Sequence, residues 1–146
     1  MRSWGYKPGL PGTGSMTCNG ISSMAAAAEV LGENGPDGAP RQALARGLSW
    51  MGRHFSVHAN AGLGGQGWLL YYLDSVERVG RLTKEPLIGE HDWYREGAEL
   101  LLDTQDKLSG SWKGQGHVED DPHVGTSFAR LFLAKGGKEK KRPDRP

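Results

Sequence analysis

The sequence predicts an all-α fold of about five helices, joined as antiparallel hairpins. Three observations support this prediction. Apolar residues recur at helical spacing in several segments, glycine-rich stretches separate those segments, and glycine supplies 23 of the 146 residues. Because glycine weakens a helix interior but adopts positive-φ turns without strain, its excess indicates tight turns and close helix contacts.

The best-defined helix is predicted at Trp93–Lys107. Asp92 precedes it and can accept a hydrogen bond from a free amide of the first turn, which makes it a suitable N-cap. One face of this helix carries apolar or small residues at amphipathic spacing. These residues are Tyr94, Ala98, Leu101 and Leu108.

A glycine turn and a tryptophan follow this helix. Gln105, Gly110 and Trp112 form the pattern Q-x4-G-x-W. The glutamine amide can pair with free backbone groups at the helix end, the glycine permits the turn, and the indole buries a large apolar area. The pattern therefore predicts a structural turn and not a catalytic site.

Four further helices are predicted from the same kind of periodicity. They are Ser15–Leu31, Pro40–Phe55, Trp68–Leu82 and Thr126–Lys135. Two ion pairs at i,i+4 spacing are expected on the side of the third helix away from its apolar face, each contributing a few tenths of a kcal/mol. They join Asp74 to Arg78 and Glu77 to Arg81.

The helices pair into hairpins, as in helical repeat arrays. Ala43–Phe55 pairs with Trp68–Leu82, and Trp93–Lys107 pairs with Thr126–Lys135. We expect residues 1–135 to form this repeat segment and residues 136–146 to form a disordered basic tail. Because each hairpin buries its apolar face only against a neighbour, two ends stay uncovered, and we expect a piece of a larger chain.

Gln105, Gly110 and Trp112 resemble the QW repeat of the terpene cyclase and protein prenyltransferase superfamily. Trp4–Gly9 resembles the tail of an earlier QW turn, and the segments at 14–20, 67–82 and 126–136 resemble inner helices. The match is best with bacterial squalene-cyclase-like repeat proteins, whose enzymatic role is generally unassigned. The resemblance implies a partial α/α toroid, an arc of helical hairpins with glycine- and tryptophan-rich turns.

The resemblance suggests a comparison of residues 118–121 with a catalytic motif of terpene cyclases. Terpene cyclases carry a D-x-D-D motif whose aspartic acid protonates an olefin, and such an acid has to be held protonated by its surroundings. The corresponding stretch begins with Val118 instead of an aspartate. We therefore expect Glu119, Asp120 and Asp121 to form an exposed acidic turn, and we assign no catalytic residue.

No metal or cofactor site is predicted. Prenyltransferases hold zinc with an aspartate, a cysteine and a histidine, but the D-x-C context is absent around Cys18, which we expect to be a small buried residue. His54 and His58 have i,i+4 spacing without the glutamate of H-E-x-x-H, and His117 and His123 flank the acidic turn. These histidines are interpreted as surface residues.

The aromatic residues allow two interpretations. In cyclases of this fold, aromatic faces stabilise carbocations in the cavity. Tyr71 and Tyr72 are the candidate cavity-lining residues if their helix is an inner one. Packing in turns and in the core explains the same residues without a ligand, and we favour that interpretation.

For function, the preferred hypothesis is a catalytically degenerate or non-catalytic repeat domain that acts as a binding or interaction scaffold. The alternative is a segment of a squalene-hopene-type triterpene cyclase whose catalytic aspartate lies outside this sequence. The expected partners are missing N-terminal repeats, a second copy or another protein, with an isoprenoid-like molecule as the candidate ligand. A formal net charge of +1 argues against nucleic acid, and no apolar run approaches the ~20 residues of a membrane span.

Overall fold

The computed structural model describes residues 3–32 and 38–139. Within these ranges the chain forms helices and no β-strand, so the predicted all-α class is confirmed. None of these helices combines the length and apolar character that crossing a bilayer requires. The elements are α1 (Gly14–Val30), α2 (Ala39–His54), α3 (Leu69–Thr83), α4 (Trp93–Thr104), a 3₁₀ turn at His117–Asp120, and α5 (Pro122–Glu139).

The helices alternate between two rows along the chain. α1 contacts α3, and α3 contacts α5, whereas α2 packs on α1 and α4 packs on both α3 and α5. α2 thus packs on α1 and not on α3, so the predicted hairpin of Ala43–Phe55 with Trp68–Leu82 is wrong, whereas α4 contacts α5 as predicted. α3 lies at the centre and is buried on most of its circumference. The core around it contains Ile21, Met51, Tyr72, Trp93 and Phe132.

The central position of α3 affects its two predicted ion pairs. Both predicted ion pairs form, with 3.1 Å between Asp74 and Arg78 and 3.0 Å between Glu77 and Arg81. Their carboxylates are nonetheless buried, so the side of α3 away from its predicted apolar face is also covered. A helix covered by three neighbours has no fully solvated face, and acidic side chains on it are buried with their partners.

Close contacts between glycines and aromatic rings hold the rows together. Gly80 of α3 lies against the indole of Trp93, and Gly97 of α4 lies against the ring of Phe132. Gly136 of α5 lies against the ring of Tyr94. Large rings therefore fill the space that the missing glycine side chains leave free. This packing explains why the helices contain glycine although glycine has a low helix propensity.

Adding a methyl group at Gly80 should lower the free energy of unfolding by roughly 1–3 kcal/mol, because a Cβ there would overlap the Trp93 indole. Urea denaturation of Gly80→Ala measures this change. Ser23→Ala, at an exposed position of α1, is the control and should stay within about 0.5 kcal/mol of the wild type. Equal stabilities for the two variants would contradict the packing argument.

Three helix boundaries differ from the predictions by three or more residues, and one of them is the start of α5, at Pro122 instead of Thr126. α4 ends at Thr104 and not at Lys107, because Asp106 accepts hydrogen bonds from the amides that follow it and forms a local turn. Leu108 is fully exposed in that turn, so its assignment to the apolar face is wrong. α5 continues to Glu139, which places residues 136–139 in the helix and not in the tail. Residues 140–146 of the predicted tail lie outside the described residues.

Candidate functional site

A pocket of about 440 Å³ opens beside the N-terminal ends of α1 and α3. The loops before these two helices supply the rest of its wall. Among the described residues, none of the lining side chains carries a charge, and three of them are aromatic. The lining residues are Tyr6, Thr13, Ser15, Met16, Leu63, Trp68 and Tyr71.

The N-terminus of α3 is closed by a buried carboxylate from a distant part of the chain. Trp68 precedes the helix with a φ of +58°, in the left-handed region that few non-glycine residues adopt. Glu119, on the 3₁₀ turn, accepts hydrogen bonds from the amides of Tyr71 at 2.6 Å and Leu70 at 3.2 Å. The carboxylate satisfies two donors that a helix leaves free and complements the positive end of the helix dipole.

This arrangement corrects the expected exposed acidic turn. Asp120 and Asp121 are exposed, but Glu119 is fully buried. The residues that Glu119 binds are 48 and 49 positions away in the chain. No local sequence pattern reports such a contact, so sequence reasoning missed the role of Glu119.

The N-terminus of α1 is closed by side chains in a similar way. Thr13 caps the helix by accepting from the amide of Met16 at 3.3 Å. The side-chain amide of Asn60 accepts from the backbone amide of Ser15 and donates to the Ser15 hydroxyl, both at 3.0 Å. Asn60 is buried and ties the loop before α3 to the start of α1. Sequence reasoning missed Asn60, which lies in a glycine-rich connection without periodicity.

These contacts determine what the pocket can bind. The first amides of α1 and α3 are paired within the protein, including Gly14 with the carbonyl of Ala61 and Leu69 with that of Gln66. Free amides at a helix N-terminus are the usual protein site for a phosphate or carboxylate. With those amides occupied and no cationic side chain among the described residues of the wall, the pocket suits an uncharged ligand.

The two candidate cavity residues lie in different places. Tyr71 lines the pocket, and its hydroxyl accepts a hydrogen bond from the side-chain amide of Asn19 at 2.8 Å. Its ring lies edge-on to Trp68 and to Phe128, with centroids 6.1 and 5.8 Å away. Tyr72 is fully buried in the core and is not part of the pocket wall. Only Tyr71 is therefore positioned to contact a ligand there.

No protein-family model, curated protein or solved structure matches this chain. The resemblance to terpene cyclases and prenyltransferases therefore stays a prediction. What the chain binds or catalyses has to be argued from its own side chains.

The turn that carries the resemblance is well packed. The Gln105 side chain donates to the carbonyl of Gly110 at 2.9 Å, and Gly110 has a φ of +71°. The buried Trp112 indole donates to the carbonyl of Leu101 in the last turns of α4 at 2.7 Å. The backbone amide of Trp112 donates to the hydroxyl of Thr126 in α5 at 3.0 Å. These contacts fasten α4 to α5.

Cys18 and His54 both have structural contacts. Cys18 is fully buried 3.9 Å from the sulfur of Met51, and burial raises the pKa of its thiol. His54 stacks on Trp50, and its Nδ1 atom lies 2.8 Å from the Trp50 carbonyl. In the described part of the chain, no three histidine, cysteine or acidic residues are grouped as metal ligands would be. The His117 side chain lies outside that part.

The buried acids of α3 are perturbed by their surroundings. Burial raises the pKa of Asp74 and of Glu77, and this effect is opposed by Arg78, Arg81 and Lys135. These acids pair with arginines of their own helix and do not line the pocket. A structural role is therefore sufficient to explain them.

The raised pKa values predict a pH dependence. Above the ordinary pKa values of 3.8 for Asp74 and 4.5 for Glu77, these carboxyls stay protonated in the folded state but lose their protons in the unfolded state. The free energy of unfolding should therefore fall as pH rises from these ordinary values to the raised pKa values of the folded state. Replacing Asp74 by asparagine and Glu77 by glutamine should reduce this fall. Urea denaturation of both proteins between about pH 4 and about pH 7 measures the difference in slope. Parallel curves would contradict the assignment.

Proposed function

We propose that this chain is a non-catalytic binding scaffold, a helical-repeat segment resembling part of a squalene-cyclase or prenyltransferase toroid. Its ligand is an uncharged, largely apolar molecule held beside the N-terminal ends of α1 and α3. An isoprenoid alcohol or hydrocarbon has this chemistry.

The observation that carries the proposal is the charge-free pocket beside two helix ends that are already satisfied. Trp68 and Tyr71 offer aromatic faces, and Met16 and Leu63 offer flexible apolar surface. Pockets of this kind gain affinity mainly from apolar contact area. The buried Glu119 carboxylate at the start of α3 further disfavours an anion nearby.

A matched pair of ligands tests the proposal. Farnesol and farnesyl diphosphate share one hydrocarbon chain and differ in the charged headgroup. We expect farnesol to bind the full chain at least roughly tenfold more tightly, because the diphosphate finds neither a free amide nor a cation in the pocket. Tryptophan fluorescence titration measures both affinities. Tighter binding of the diphosphate, or no saturable binding of farnesol, would contradict the proposal.

Two leucine variants locate the ligand. Leu63 lies on the pocket wall and is 44% exposed, whereas Leu108 is fully exposed in the turn after α4. Leu63→Asp should weaken farnesol binding by roughly tenfold or more, because it places a charge against the apolar chain. Leu108→Asp, the same change elsewhere on the surface, should leave binding unchanged. Equal effects of the two changes would place the ligand elsewhere.

The aromatic wall also supports a second candidate function, a segment of a triterpene cyclase. The faces of Tyr6, Trp68 and Tyr71 could stabilise a carbocation. The proton donor would have to come from outside the described residues, since Glu119 is occupied by two amides of α3. Formation of a cyclic product from squalene would favour this function, and binding without turnover would favour the scaffold.

A further inference from the structure

The turns that contain Trp4 and Trp112 are joined to the helices that follow them by the same kind of hydrogen bond. The backbone amide of Trp4 donates to the hydroxyl of Thr17 at 3.2 Å, and that of Trp112 donates to the hydroxyl of Thr126 at 3.0 Å. Each threonine lies near the beginning of the helix that follows, α1 or α5. α1 and α5 therefore begin with equivalent turns; α4 packs on α5, and no helix precedes α1 among the described residues.

The two indoles differ in their hydrogen bonds. The Trp112 indole donates to the carbonyl of Leu101 near the end of α4. The Trp4 ring covers Gly20 of α1, and its Cζ3 atom lies 2.8 Å from where a Cβ of Gly47 in α2 would be. The Cε2 atom, which is bonded to Nε1, lies 2.6 Å from where a Cβ of Gly20 would be, so the N–H lies beside α1. Among the described residues it has no hydrogen-bond acceptor.

The part of α1 beside this N–H has an unusual surface for an exposed helix. Ser23, Ala26 and Val30 are exposed there, with Ala27 between them. Exposed Glu29 lies at the edge of this face, three residues after Ala26, and the face itself consists of small or apolar side chains. In this protein, small residues of one helix receive large rings of the next, as Gly80 receives Trp93. The α1 face therefore has the surface of a contact between helices.

We propose that the face of α1 beside Trp4 docks one further amphipathic helix of the α4 type. This helix runs antiparallel to α1 and ends near Trp4, as α4 ends near Trp112. A carbonyl of its last turn accepts the Trp4 indole N–H, and its large apolar side chains cover Ala26 and Ala27. The proposal concerns a partner helix and does not depend on the ligand of the pocket.

An extended chain tests the proposal with an occupant of known sequence. A second copy of residues 91–111 is joined directly to Trp4 in place of residues 1–3, so that the copy precedes Trp4 as the original precedes Trp112. Tethering removes most of the cost of association for a short helix. We expect the thermal midpoint to rise by roughly 5 °C or more. We also expect hydrogen exchange at the Trp4 indole N–H to slow by at least about tenfold.

Matched variants separate docking from a general effect of the extension. Ala26→Glu in the extended chain should abolish both changes, while Ala45→Glu, at an exposed position of α2, should preserve them. Ala26→Glu in the unextended chain should keep the wild-type midpoint, which shows that the variant folds. An unchanged midpoint and unchanged exchange in the extended chain would overturn the proposal. Self-association of the unextended chain would also overturn the proposal if Ala26→Glu abolished it and Ala45→Glu preserved it. The occupant of the α1 face would then be a second copy of the chain.

Discussion

Replacing Trp112 by alanine should lower the free energy of unfolding by roughly 3–5 kcal/mol. The indole is buried between α4 and α5, and its N–H is the hydrogen-bond partner of the Leu101 carbonyl. The alanine variant loses the buried area and leaves a carbonyl unpaired near the end of α4. Urea denaturation followed by circular dichroism measures the change.

A phenylalanine at position 112 separates the two contributions. It restores most of the apolar area but cannot donate to the Leu101 carbonyl. We therefore expect Trp112→Phe to be more stable than Trp112→Ala and less stable than the wild type. A loss below about 1 kcal/mol for Trp112→Ala would show that the indole does not fasten α4 to α5, and the QW interpretation would fall with it.

Replacing Glu119 by alanine should lower the free energy of unfolding by roughly 2–4 kcal/mol. The change leaves the amides of Leu70 and Tyr71 without their buried acceptor and removes a charge that complements the helix dipole. Urea denaturation measures the change in global stability, and amide hydrogen exchange measures the local change at the start of α3. Exchange at these two amides should accelerate more than exchange in the middle of α3.

Asp120→Ala is the matched control for Glu119→Ala. Asp120 is the next acidic residue in the same 3₁₀ turn, but it is exposed. Its loss should change stability by less than about 0.5 kcal/mol. If both substitutions had the same effect, or if the two α3 amides kept their protection without Glu119, the carboxylate would not be what closes the helix end.

The turn after α4 shows what local sequence predicts well. A helical period, an Asx N-cap and a glycine before a tryptophan are all properties of neighbouring residues. Asp92 does cap α4, by accepting from the amide of Arg95, and Gly110 does adopt a positive φ. The end of the helix was less predictable, because the Asp106 turn competes with helix continuation over only a few residues.

The candidate site was predicted only in part. Tyr71 was a candidate from the aromatic pattern, and it does line the pocket. Adjacent Tyr72 was an equal candidate, and only the packing of α3 shows that it lies in the core. Thr13 and Asn60 gave no signal of their own, because loop residues without periodicity do not reveal what they will contact.

The sequence by itself determined the all-α class, the approximate helix positions and the glycine turns, since these depend on residues within one or two helical turns of each other. Tertiary structure decided which side of each helix is covered, and so placed Asp74 and Glu77 in the interior. It also decided that Glu119 closes a helix 48 residues away instead of facing solvent. The physical reason is that burial and charge compensation depend on neighbours in space, and a single local pattern is compatible with many such neighbours.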